Sequence, residues 1–236
     1  MPTRSPSFRP RVTESKTTLV GYSRCSASAP SRWATERPYP LDSGTPSAPS
    51  TVDGTGRGYD GPVTDEIERI IRAGMTETPD FPSEGILFRD LSGLFADADG
   101  LRAVSAALVD GVDAETVVGV EARGFVFGTA AAVATGKGML AVRKAGKLPG
   151  EVLAESYDLE YGVATIEVHP DTLAPGTRVV IVDDVLATGG TLAATIRLMR
   201  RAGWVVAGVA VVIELEALGG RSALPADVEV RSLLRL

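Results

Sequence analysis

Residues 179–191 read VVIVDDVLATGGT: four aliphatics, two adjacent carboxylates, then a threonine and two glycines ahead of a helical stretch. The amides and hydroxyls of Thr188, Gly189, Gly190 and Thr191 can enclose a phosphate at a helix start, where unpaired N–H groups and the helix dipole favour an anion. No Lys follows the glycines, so this is not a Walker A loop. Asp183 and Asp184 repel a phosphate, but as pure hydrogen-bond acceptors they suit the hydroxyls of a ribose or a magnesium ion carried by the ligand. A ribose phosphate satisfies both halves of the motif. The plainer alternative is an ordinary strand-to-helix turn with exposed acids.

Two other apolar runs end in comparable chemistry. Thr116 to Val120 is followed by EARGF, and Met139 to Val142 by RKAGKLPG. Short apolar runs alternate with helical stretches: strands at Thr116–Val120, Met139–Val142, Val179–Val182 and Val205–Ile213, helices at Phe125–Ala134 and Leu192–Ala202. This alternation predicts an α/β fold with a mainly parallel central sheet, buried on both faces and flanked by helices. Ligands of such sheets sit beyond the carboxyl ends of the strands, so the three strand ends converge on one cleft if the strands are neighbours. Upstream, TDEIERIIRAG reads as a helix stopping at Gly74, and DADGLRAVSAALVDGV as a second. Gly146 to Gly162 reads as a long loop suited to close over the cleft and exclude water.

Composition narrows the function classes. The 236 residues carry a formal net charge of −6, which argues against general nucleic-acid or membrane-surface binding. No apolar run approaches the length of a spanning helix. The lone Cys25 excludes a disulfide framework and a cysteine metal site, and fits a reducing, cytoplasmic setting. Residues 1–62 are rich in Ser, Pro and Arg and too poor in apolar surface to offset the entropy of ordering, so they read as a disordered extension to a domain at 63–236. An organelle transit peptide, or a translation start near Val63, are the other readings of that segment.

The segments FPSEGILFRD, EARGFVFG, VRKAGKLPGEVLAESYDLEYG and VVIVDDVLATGGT, in this order through residues 79–203, resemble the adenine branch of the type I phosphoribosyltransferases. The resemblance implies that family's fold with a small purine-side hood. It also implies transfer of the phosphoribosyl group of phosphoribosyl pyrophosphate (PRPP) to adenine, giving AMP and pyrophosphate. Magnesium would arrive with PRPP rather than on a protein site, and the enzyme would be a homodimer. Ser83-Glu84 departs from the family pattern, which usually has a proline before the glycine, and leaves the shape of the purine-side loop open.

By the same resemblance, Asp183 and Asp184 take the ribose hydroxyls, and Ala187, Thr188, Gly189, Gly190 and Thr191 take the 5'-phosphate. Arg123 matches the pyrophosphate loop, where the peptide before the Arg is often cis. Arg143, Lys144 and Lys147 match residues that meet the pyrophosphate, although Lys144 alone also fits a solvated basic turn. Leu87, Phe88 and Arg89 match the purine-side segment, with Val185 opposite Leu87; a core role for Leu87 or Phe88 fits nearly as well. Glu160 matches a base near purine N7, and Tyr161 a group on the pyrophosphate or ribose side. Arg123 and Lys147, which would hold the departing pyrophosphate, join Glu160 as the catalytic candidates. His169, the only histidine, has no assigned role. The rival readings are a 6-oxopurine phosphoribosyltransferase and a non-catalytic, PRPP-sensing transcription regulator. The latter requires a DNA-binding module, for which residues 1–62 show no recognition-helix pattern.

Overall fold

The stretch from Asp65 to Gly74 carries Ile67, Ile70 and Ile71 at helical spacing, acids in its first turn and Arg72 in its last, all of which favour a helix. The computed structural model, which describes residues 65–159 and 162–236, forms that helix as α1 (Asp65–Gly74). The N-terminal extension, residues 1–62, lies outside the described residues. A short antiparallel ribbon follows, β1 (Thr76–Thr78) with β2 (Phe88–Asp90), and then α2 (Ser92–Ala96) and α3 (Ala98–Val109). Asp97 caps α3 by accepting from the Asp99 amide at 3.2 Å. The ribbon is the small hood over one side of the sheet's carboxyl edge.

The alternating part runs β3 (Thr116–Val120), α4 (Arg123–Thr135), β4 (Gly138–Lys144), β5 (Leu153–Leu159), β6 (Gly162–Val168), β7 (Arg178–Leu186), α5 (Gly190–Arg201), β8 (Val205–Glu214) and β9 (Val230–Arg235). Among the described residues these strands form a seven-stranded sheet in the order β5-β6-β4-β3-β7-β8-β9. From β4 to β9 the pairings are parallel; β6 and β5 add an antiparallel hairpin at one edge. β7 and β3 therefore lie side by side at the centre, with β4 next, and their carboxyl ends share one edge.

The hairpin corrects one expectation. Much of the segment 146–162 is strand β5, paired from Leu153 against Val168 to Leu159 against Gly162. Along it burial alternates, with Leu153, Glu155 and Tyr157 half-buried and Ala154, Ser156 and Asp158 exposed, as suits an edge strand with one face covered. Strand β9 was likewise not expected, because VRSLLR lacks a continuous β-branched run. Helix α4 starts at Arg123 and α5 at Gly190, each two residues earlier than the apolar pattern indicates. The first turn of each helix thus carries the residues with chemical potential.

The apolar core divides across the sheet according to the strand pleat. Val179 and Ile181 of β7 face α5 with Leu192, Ile196 and Met199, whereas Val180 and Val182 face the other side with Leu94, Leu108 and Phe127. Among the described residues no helix is long and apolar enough to cross a membrane.

Candidate active site

Strand β7 is buried on both faces through Val182, and the chain then continues into two carboxylates. Asp184 is only 6 % exposed. Its Oδ2 lies 2.7 Å from Nε of Arg123, an ion-pair distance without an aligned hydrogen bond. Oδ1 of Asp183 accepts from the Asp184 amide at 2.9 Å. Burial pushes the Asp183 carboxyl well above the usual range, the adjacent Asp184 charge adds to this, and Arg123 opposes it. Arg123 can reach the pair because Gly124 follows it: a Cβ there would lie 2.8 Å from the Val182 carbonyl oxygen and 2.9 Å from Asp183 Oδ1. The absence of a side chain at 124 thus lets the start of α4 rest on the end of β7.

Three cavities meet at this point. The first, about 80 Å³, is enclosed by residues 185–192 with Asp183 and has the make-up of a phosphate cradle, including Thr188, Gly189, Gly190 and Thr191. A second, about 270 Å³, is lined by Leu87, Phe88, Arg89, Arg123, Asp184 and Val185 among others. The third, about 410 Å³, is bounded by Glu121, Arg123, Lys144, Tyr157, Asp183 and Asp184 among others. Asp183 borders the first and third, and Asp184 and Arg123 border the second and third. The order along the cleft is therefore an anion cradle, a central acid pair, a mostly apolar slot on one side and a mixed-charge chamber on the other. Among the described residues, no group of three or more His, Cys, Asp or Glu side chains is arranged to hold a metal ion.

On the slot side, Leu87 is 40 % exposed and contributes to the slot wall, which removes the core reading for this residue. Phe88 is half-buried, with its ring edge-on to Phe81 at 5.2 Å and the Arg123 guanidinium 5.8 Å from its centroid. Arg89 is held by Glu77 across the β1–β2 ribbon at 3.0 Å. The loop containing Ser83-Glu84 closes on itself: Asp80 Oδ1 accepts from the Gly85 amide at 2.8 Å, and the Phe81 amide donates to the Ile86 carbonyl at 3.2 Å.

On the chamber side the basic residues separate. Lys144 lines the chamber and is itself exposed. Arg143 instead pairs with Glu121 at 3.0 Å and lies over the Phe125 ring. Lys147 does not line any of the three cavities; its amide, with those of Gly146 and Leu148, donates to the Glu167 carboxylate at 2.8–3.1 Å. Glu167 is 4 % exposed, so this turn is fastened from below by a buried acid on β6. The cis peptide joins Glu121 to Ala122, one bond before the position expected next to Arg123.

Glu160 and Tyr161 lie outside the described residues. Tyr157, two turns of pleat upstream on β5, was not expected in the site; its hydroxyl oxygen accepts from Thr191 Oγ1 at 3.1 Å. Glu121 and Glu167 also escaped the sequence reading. Glu121 stands in the quoted EARGF segment, but its partners Arg143 and Lys144 lie on β4, and those of Glu167 are the amides of the turn at 146–148. His169 hydrogen-bonds the Glu151 carbonyl through Nδ1 at 3.0 Å and stands apart from the cleft.

A family model described as the phosphoribosyl transferase domain matches residues 99–229. The adenine phosphoribosyltransferase of Clavibacter sepedonicus is 59 % identical over 168 residues, which span 71 % of this chain and 87 % of that protein. The crystal structure of adenine phosphoribosyltransferase from Rhodothermus marinus DSM 4252 is similar with a TM-score of 0.69 and 45 % identity, covering 73 % of this chain and 100 % of the other. The Saccharomyces cerevisiae adenine phosphoribosyltransferase, complexed with an imino-altritol bisphosphate and adenine, is similar at a TM-score of 0.67 and 35 % identity, covering 72 % and 99 % of the two chains.

The raised Asp183 carboxyl has a consequence for stability. In the unfolded chain this group titrates near the ordinary value of about 3.9, so the folded state binds its proton more tightly and loses stability as pH rises above that value. Asp183→Asn keeps the acceptor for the Asp184 amide and removes the charge. It is expected to raise Tm at about pH 8, each kcal/mol appearing as about 2–4 °C in a chain of this size. The gain should shrink as pH falls toward about 4. Thermal unfolding across this range checks it; a lower Tm at every pH would mean that the charge is not a source of strain.

Proposed function

The chain belongs to the adenine phosphoribosyltransferases of the phosphoribosyl transferase family, and on that footing we propose that its cleft carries out purine salvage, moving the phosphoribosyl group of PRPP onto N9 of adenine with release of pyrophosphate. The observation that carries this reading is the meeting of a phosphate cradle, an acid pair and an apolar slot around Asp183, Asp184 and Arg123. In this reading, residues 187–191 hold the 5'-phosphate and the two aspartates accept from the ribose hydroxyls. Leu87 and Val185 flank the purine, and Phe88 and Arg89 contribute the rest of that wall. Magnesium enters as part of the PRPP substrate and offsets the charge of the pyrophosphate oxygens.

The reaction asks for little covalent chemistry from the protein. As the C1–pyrophosphate bond breaks, positive charge develops on the ribose and negative charge on the leaving group. Cations that hold the pyrophosphate more tightly as its charge grows lower the barrier. Arg123 and Lys144, which border the chamber, are suited to this. Arg143, paired with Glu121, and Lys147, in the turn after β4, line none of the three cavities, and their part rests on the family resemblance alone. Glu160 is the proposed base near N7 and Tyr161 a hydroxyl on the leaving-group side, by resemblance to the family. The purine proton must leave as the N9 bond forms, and a carboxylate accepts it or selects the reactive tautomer.

The functional unit is proposed to be a homodimer in the cytoplasm. Supporting it is an apolar hollow of about 850 Å³ on the outer face of α3 and α4, lined by Leu101, Phe125 and Val133 among others, with Val133 78 % exposed. Light scattering should return twice the chain mass of 24.6 kDa; a monomer mass at assay concentration would remove the dimer.

With PRPP and magnesium, AMP should form rapidly from adenine and product from hypoxanthine or guanine should be negligible. Comparable rates with a 6-oxopurine would replace the assignment with its nearest rival. Glu160→Gln keeps the size and one acceptor but removes the base, and should lower single-turnover AMP formation by roughly 10 to 10,000-fold with little change in PRPP affinity. A single-turnover rate equal to the parent's would take the proton-transfer role away from Glu160.

A further inference from the structure

Against the phosphate cradle lies a short 3-10 turn formed by Gly220–Ala223, in which Gly220 is buried and Ser222 and Ala223 are exposed. The two segments touch backbone to backbone. A Cβ at Gly220 would overlap the Ala187 carbonyl oxygen and come within 2.9 Å of the Gly189 amide nitrogen. Reciprocally, a Cβ at Gly189 would overlap the Gly220 carbonyl oxygen and sit 3.1 Å from the Ala223 side chain. Gly189 also has φ of 83°, in the region that glycine tolerates without cost. No side chain separates the cradle from this turn, so a displacement of one is passed directly to the other.

The turn is in turn clamped. Glu214, the last residue of β8, is 5 % exposed, and both its oxygens are engaged. Arg221 donates through Nε at 2.9 Å and through Nη2 at 2.5 Å, and Ser232 Oγ of β9 donates at 2.5 Å. Nη1 of Arg221 reaches the Val230 carbonyl at 2.8 Å. The guanidinium fork therefore ties the turn to the ends of two parallel strands. Its hydrogen bonds hold Glu214 below the usual carboxylate range and Arg221 above its own. With Glu214 buried and the Arg221 side chain 38 % exposed, the fork contributes more to geometry than to stability. The neighbouring backbone bond from the Leu215 amide to the Leu186 carbonyl, at 2.9 Å, anchors the entry to the cradle at the same level.

We propose that Gly220, held by the Glu214–Arg221 clamp, is a positioning residue that sets the backbone of residues 187–190 to the shape required by the 5'-phosphate of PRPP. None of these three residues lines the cradle, so they act through the loop. The inference rests on the reading that this loop binds the phosphate, and it adds a structural cause for the loop's shape from a segment about thirty residues downstream in the chain.

The test separates positioning from folding. Gly220→Ala should raise KM for PRPP roughly 10 to 100-fold, the scale of a misplacement of about 1 Å, while KM for adenine stays near the parent's. The thermal shift on adding ribose 5-phosphate, used as a phosphate probe, should fall with it. Should Gly220→Ala fail to fold, Arg221→Lys keeps the charge but loses the fork, and it should move KM for PRPP in the same direction by about threefold or more. A folded variant with parental KM for PRPP and reduced kcat, or with both substrates affected alike, would overturn the positioning role. A parent that turns over PRPP but shows no response to ribose 5-phosphate would overturn the phosphate reading of the loop itself, and the proposal with it.

Discussion

Two adjacent carboxylates are placed at the end of a strand whose preceding residues are buried on both faces, and the rest of the site follows from how that charge is accommodated. An isolated carboxylate in a low-dielectric setting is costly unless it is paired or protonated. Here Arg123 compensates Asp184, and Asp183 retains its proton more firmly than a free acid. The pairing in turn depends on close backbone packing. Gly124 lies against Val182 and Asp183, and a Cβ at Gly119 on β3 would come within 2.8 Å of the Gly124 carbonyl oxygen. Glycine at these two positions brings a helix start, rather than a helix flank, to the acid pair. The slot, the chamber and the cradle are the spaces that remain around that contact.

Much of the supporting structure repeats one device, an acid that fastens a segment carrying a binding group. Glu77 holds Arg89, Glu121 holds Arg143 and the Lys144 amide, and Glu167 holds the turn at Lys147. Glu155 on β5 receives Arg197 and Arg201 from α5, which ties the edge hairpin to the helix that follows the cradle. Partly exposed pairs such as these contribute modestly to stability. Their larger effect is orientation, because each fixes a backbone segment or guanidinium that would otherwise sample many rotamers. The acid pair itself is the exception: it is incompletely satisfied by the protein, as is common where polar groups await a ligand and stability is given up for function.

The large apolar hollow on α3 and α4 stands apart from this chemistry. It has volume but little charge, whereas the cleft is smaller, divided and rich in titratable groups. Phe125 links the two, since it lines the hollow and lies under the Arg143 guanidinium. The path from the hollow to the chamber runs through Phe125, Arg143 and its partner Glu121.

The amino-acid sequence by itself determined the α/β alternation, the central strands and the cradle motif, because continuous aliphatic runs and glycine-rich helix starts are local patterns. It also determined the family, since four motifs in order are far more specific than any one of them. Only the tertiary structure decided which groups meet. The edge strand β5 and strand β9 lack continuous apolar runs and gain their identity from pairing partners far along the chain. Lys144, rather than Lys147, borders the chamber because the turn after β4 is folded down onto Glu167 from β6. Gly220 carries no signal in its own neighbourhood; its constraint arises when parallel pairing of β7 with β8 and β8 with β9 sets residues 187–190 against the turn at 219–223. Local patterns report what a segment prefers, whereas contacts between distant segments exist only once the sheet has ordered them.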